Sequence, residues 1–107
     1  MKTTIAAAVF LAAAIFAPPI PARAETIRVE VKGLAFLPAQ VTAHVGDTIE
    51  WANADFVAHT ATGKNHEFDV MLPANKTSSF VLQKPGSVAY FCRFHPNMTG
   101  TITVEPK

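Results

Sequence analysis

The chain's only cysteine, Cys92, is followed three residues later by His95 and three further on by Met98. A thiolate, an imidazole and a thioether on one short stretch, CRFHPNM, make a donor set for a soft or borderline metal. Two sulfurs with an imidazole suit copper, which must be held as both Cu(I) and Cu(II), in a trigonal His₂Cys site with a weak axial Met. The stretch supplies one histidine, so this geometry requires a second from elsewhere. His59 is the best candidate, because it follows the Trp51 segment after WANADFVA, where a sandwich can bring it beside the last loop. His66 directly follows Gly63-Lys64-Asn65, which reads as an exposed turn. His44 precedes the Gly46-Asp47 turn and has no sequence partner. Both are read as solvated surface histidines.

Cys92 has rival readings. A C-x-x-H pair suits zinc, but a structural zinc site usually needs a second Cys/His pair, and Met98 would be idle. A Cys/His nucleophile would need an activating base and an oxyanion hole, and the sequence signals neither. A buried inert thiol is the common fate of a lone cysteine, yet it leaves the matching steps to His95 and Met98 unexplained.

The elements that must carry these donors alternate in hydropathy. Thr26 to Lys32 reads TIRVEVK, with Ile27, Val29 and Val31 on one face and Arg28, Glu30 and Lys32 on the other, the period of a half-buried strand. VTAHV and TIEWAN flank Gly46-Asp47, so that pair reads as a turn between two strands. Thr77 to Leu82, the segment from Val88 to Phe91 after the Pro85-Gly86 turn, and TITVE after Gly100 complete the set. No segment after residue 24 shows a helical period. Short strands between turns predict an all-β protein, an antiparallel Greek-key sandwich or barrel. Val29, Val31, Ile49, Trp51, Val88, Ile102 and Val104 are its expected core. Asn53 to Pro73, which holds His59 and His66, reads as long connections rather than strands. On this reading Cys92, His95 and Met98 occupy a compact loop between the last two strands.

Length and composition narrow the class. A chain of 107 residues predicts one domain. Residues 1–24 read as a secretory signal peptide: Lys2, an apolar run from Ile5 to Phe16, prolines at 18, 19 and 21, and an A-x-A site at Ala22-Arg23-Ala24. The apolar run is shorter than the roughly 20 residues of a membrane span, so cleavage before Glu25 and no stable membrane anchor are expected. The domain is then residues 25–107. Its Lys+Arg falls from 9 to 7 against 8 Asp+Glu, and a near-neutral domain has no electrostatic reason to bind nucleic acid. A single thiol in so small an exported domain cannot form an internal disulfide. A metal would supply stability that such a domain otherwise lacks.

With these residues in place, the chain resembles the cupredoxins, the small blue copper proteins, and within them the amicyanin branch first and the plastocyanin branch next. FLPAQVTAHVGDTIEWANAD is similar to the family's F-x-P-x-x-V-x-V-x-x-G-D-T-V-x-W-x-N-x-D stretch. PGSVAYFCRFHPNMTGTITV is similar to its closing P-G-x-Y-x-Y-x-C-x-x-H-x-x-M-x-G-x-I-x-V block. The resemblance implies that His59, Cys92, His95 and Met98 ligate one copper ion. The two-residue gap between His95 and Met98 is that of the amicyanin branch. Thr60 stands where the family commonly has an Asn that fixes the ligand loop, and Asn97 where amicyanins have an aromatic.

The resemblance further implies an electron carrier, not an enzyme; the signal-peptide reading places it in the periplasm, and with no obvious oligomer surface in the sequence a monomer is expected. It would shuttle single electrons by outer-sphere transfer between transient redox-protein donors and acceptors. The edge of His95 would be the electron port, inside an apolar patch to which Phe36, Leu37, Met71, Phe94 and Pro96 can contribute. The other reading of the same ligands is a periplasmic copper carrier or store without redox turnover. Such carriers often use open clusters of several Met or His residues, whereas here Met71 and Met98 lie in separate segments.

Overall fold

The computed structural model describes residues 23–107. The apolar run and the prolines on which the signal-peptide expectation rests lie outside them. Among the described residues there are nine strands and no helix: β1 Thr26–Lys32, β2 Ala35–Leu37, β3 Gln40–His44, β4 Thr48–Asn53, β5 His59–Gly63, β6 Asp69–Leu72, β7 Thr77–Val81, β8 Gly86–Phe91 and β9 Thr99–Glu105. They form two sheets, ordered β2-β1-β4-β7 and β3-β9-β8-β5-β6. The expected all-β sandwich is present.

The sheets are mixed. β1 runs parallel to β4, and β3 parallel to β9, while the other pairings are antiparallel. The cause lies in two reversals. The chain turns back at Gly33-Leu34 into β2, passes to the second sheet as β3, then turns again at Gly46-Asp47. It re-enters the first sheet as β4, running once more in the direction of β1. The Gly46-Asp47 turn is therefore a corner between sheets rather than a hairpin within one. Gly46, at φ +97°, supplies the left-handed backbone it needs.

The inward rows of the alternating strands meet in one core. Val29, Val31, Ile49, Trp51, Ile102 and Val104 are buried as their periodicity requires, and Val88 packs against them from a half-buried position. Each such side chain contributes about 1.5–3 kcal/mol on burial. Tyr90 is the hub: its ring packs on Phe36, Trp51 and Phe68, and the Trp51 indole N–H donates to its hydroxyl at 3.3 Å. Burial pushes the Tyr90 phenol up to about 12. Opposite it on β9 lies Gly100, where a Cβ would stand 2.5 Å from the Tyr90 ring, so a side chain there displaces the hub.

The stretch from Asn53 to Pro73 contains two strands, β5 and β6, where the sequence suggested connections. β5, HTATG, is buried at all five positions. A strand covered on both faces shows no period-two pattern, and its small and polar residues offer no apolar run either. His59 therefore sits on a sheet strand, not on a connection.

Candidate metal centre

Three loops meet at one end of the sandwich. Two are the Gly33-Leu34 turn and the Ala54–Ala58 connection from β4 to β5. The third is the Cys92–Met98 segment between β8 and β9. That last segment is closed by its own backbone: Cys92 N–H donates to Met98 O at 3.0 Å, His95 N–H to Cys92 O at 3.2 Å, and Met98 N–H to His95 O at 2.8 Å. The ladder resumes at once, with Phe91 paired to Thr99. A seven-residue loop tied this way has little freedom, so the directions of its side chains are tightly limited.

His59, the first residue of β5, points into the same space. His59 Nδ1 lies 3.2 Å from His95 Nδ1 and 3.8 Å from Cys92 Sγ, and Cys92 Sγ lies 3.7 Å from His95 Nδ1. His59 and Cys92 are fully buried and His95 is half-buried. A triangle with these sides has a circumradius of about 2.1 Å, within the roughly 2.0–2.3 Å of metal–imidazole and metal–thiolate bonds. The three donors thus fit one ion at their centre without rearrangement.

A carboxylate sets the tautomer of His59. Asp55 Oδ2 is 2.8 Å from His59 Nε2, and a carboxylate can only accept, so Nε2 carries the proton and the Nδ1 lone pair faces the cluster. Asp55 also accepts the Gly33 amide at 2.9 Å and the Leu34 amide at 3.3 Å. The Gly33 amide foremost, then His59, hold its carboxyl below the usual carboxylate range. Gly33 and Leu34 sit at φ +61° and +60°, a turn whose two amides point the same way. Asp55 therefore binds the β1–β2 turn to the His59 imidazole.

The sulfur receives a hydrogen bond from β5. Thr60 N–H donates to Cys92 Sγ at 3.3 Å, and Thr60 Oγ1 accepts the Arg93 amide at 2.8 Å. One threonine thus contacts the Cys92 sulfur and the peptide that follows it.

Cys92 and the two imidazoles His59 and His95 come together as the sequence suggested. His44 and His66 stand exposed and apart; His44 faces Asp47 and Glu105 at the far turn, and His66 occupies a turn at φ +61°. Met98 is buried at the end of the Cys92–Met98 loop. Of the apolar residues considered for a surface patch, Phe36 is core, whereas Leu37, Met71 and Phe94 are about half exposed. Leu34, Val57 and the almost fully exposed Phe56 join them at this end. Sequence reasoning missed Asp55. Its signal was available in the Asp-to-His spacing of DFVAH, but a four-residue step means little until the loop's path is known.

The chain belongs to the cupredoxin-like family, whose domain matches residues 4–104. It is 27% identical over 88 residues to an amicyanin of Paracoccus versutus, covering 77% of this chain and 67% of that protein. To a plastocyanin of Nostoc punctiforme it is 34% identical over 115 residues, with 86% and 81% covered. Among solved structures it is similar to a reduced amicyanin variant, at TM-score 0.65 and 27% identity over 75% of this chain and 82% of that one. It is also similar to a Cu-containing nitrite reductase from Thermus scotoductus, at TM-score 0.67 and 27% identity, over 74% of this chain but 22% of that one. The cofactor that this family and this donor set share is copper, and one ion fits between His59, Cys92 and His95.

Proposed function

We propose that this protein is a periplasmic electron carrier and not an enzyme. It accepts one electron from one redox protein and delivers it to another by outer-sphere transfer. The observation that carries this reading is the preset donor triangle: two buried donors, one half-buried imidazole, and side chains already anchored by Asp55 and Thr60. Copper supplies the Cu(II)/Cu(I) couple. The protein's part is to hold the same donors for both states, so that little rearranges when the electron moves. Asp55 keeps the His59 Nδ1 lone pair available, the Thr60 amide withdraws density from the Cys92 sulfur, and the closed 92–98 backbone fixes His95. Met98, buried at the end of the same loop, would be the fourth donor. Leu34, Phe56, Val57 and Phe94 offer an apolar rim around His95 for monomeric, transient contact with redox partners. Burial of Cys92 and His59 favours this reading over copper carriage, which needs ligands that exchange readily.

Voltammetry of the copper-loaded protein tests it. The expected result is a reversible one-electron couple with the metal retained in both states. Met98→Gln should keep copper and lower the potential, because a harder amide oxygen favours Cu(II). A potential unmoved by that change would remove Met98 from the ligand set. Rapid loss of copper to a chelator in either state would support the carriage reading instead.

Export also has structural support. Residue 25 immediately precedes β1, and its backbone nitrogen donates to Asp47 Oδ1 at 2.8 Å. Asp47 is buried, and the Glu25 and His44 amides hold its carboxyl below the usual range. Cleavage before Glu25 would place an α-ammonium at that contact and convert a hydrogen bond into an ion pair. The exported protein is expected to begin at Glu25 and to melt higher than a form with a few added N-terminal residues. That gain is present below the α-ammonium's ordinary pKa of about 8 and lost as pH rises beyond it. Equal melting temperatures at neutral pH would argue against the ion pair.

A further inference from the structure

Thr60, Thr62, Asp69 and Arg93 form a ring of hydrogen bonds on the face of β5 opposite His59 and Ala61. Thr62 Oγ1 lies 2.7 Å from Asp69 Oδ1 and 2.9 Å from Thr60 Oγ1. Thr60 Oγ1 lies 2.8 Å from the Arg93 amide, and Arg93 Nε lies 3.1 Å from the same Asp69 oxygen. Both threonines are buried.

The direction of every bond follows from one group. The Asp69 carboxylate can only accept, so the single Thr62 hydroxyl proton goes to it. Thr62 Oγ1 is then left as an acceptor, and the Thr60 hydroxyl donates to it. That leaves a Thr60 lone pair for the Arg93 amide. The Arg93 side chain donates back to Asp69 and closes the ring. Asp69 is kept ionised, its carboxyl lowered first by the Thr62 hydroxyl and then by the Arg93 guanidinium.

We propose that Thr62 and Asp69 are positioning residues for the copper site: they orient the Thr60 hydroxyl, which fixes the Cys92–Arg93 peptide and so the direction of the ligand sulfur. Neither touches a ligand. They act through Thr60, whose amide bonds the sulfur and whose hydroxyl bonds the peptide after it. Hydrogen bonds aligned in one sense reinforce each other, and the carboxylate at the outer end sets that sense for a peptide three hydrogen bonds away. The inference rests on the copper reading for its redox consequence, but not for its mechanical one.

Two measurements separate these. In the metal-free protein, Thr62→Val and Asp69→Asn should each speed hydrogen exchange of the Arg93 amide by about tenfold, while Thr62→Ser should leave it at the wild-type rate. In the copper-loaded protein, Thr62→Val should lower the potential and shift the sulfur-to-copper absorption band, because a looser Cys92 loses part of the Thr60 amide contact. Thr62→Ser should restore both. Asp69→Asn is read only by exchange, since removing its charge also moves the potential directly. It remains readable if Thr62→Val fails to fold. Wild-type exchange in both variants overturns the proposal. So does faster exchange with an unmoved potential and band, which would make the ring a merely structural clasp. A wild-type protein that takes up no copper would overturn the copper reading while leaving the exchange result to stand.

Discussion

Copper-loaded Cys92→Ser is expected to lose the intense visible absorption altogether. That absorption needs a thiolate bonded to Cu(II), and Cys92 is the only thiol in the chain. A serine hydroxyl is far harder to deprotonate and is a harder donor, so it neither supplies the charge-transfer partner nor binds Cu(I) well. The fold should survive: the replacement is slightly smaller and still accepts the Thr60 amide. The pocket therefore stays shaped while the thiolate at its buried side is lost. Optical titration with Cu(II), alongside a chelator competition, measures both effects. A variant that retained the band would show that the sulfur was never a ligand.

The second large effect is expected at a residue that never touches the metal. Asp55→Ala should weaken copper binding about 10- to 100-fold, the usual consequence of removing a carboxylate behind a ligand histidine. Asp55 fixes the His59 proton on Nε2, at 2.8 Å, and thereby frees Nδ1 to face Cys92 and His95. Without it, His59 can adopt the other tautomer or turn away. The Gly33 and Leu34 amides also lose their acceptor, so the melting temperature of the metal-free protein should fall as well. Asp55→Asn should lie between, because its amide oxygen still accepts from Nε2–H but without the charge. Competition against a chelator of known affinity ranks the three proteins. Equal affinities would mean that His59 is positioned by its strand alone.

The two sites differ in how far the sequence exposes them. Cys92, His95 and Met98 are legible because a tied loop between adjacent strands keeps these three donor types close in sequence. The strands that carry them are legible wherever one face is solvated, as in TIRVEVK, where alternation survives. β5 is hidden because both its faces are covered, so His59 looked like a loop residue that happened to be nearby. Asp55, Thr62 and Asp69 are hidden for another reason. Asp55 is joined to Gly33 across 22 residues and Asp69 to Arg93 across 24, and Thr62 works through Asp69, seven residues on, a step that means nothing until β5 and β6 are paired. Phe36 and Phe56 show the same limit for surfaces. Both are phenylalanines beside loops, yet one packs on Tyr90 in the core and the other stands almost fully exposed at the rim.

A crystal structure of the copper-loaded protein, with anomalous data collected at the copper edge, tests the central claim most directly. The account predicts one anomalous peak about 2.0–2.3 Å from His59 Nδ1, Cys92 Sγ and His95 Nδ1, with those three side chains and Asp55 in the places they hold here. A peak elsewhere, or one reached only after His59 swings off Asp55, would contradict it.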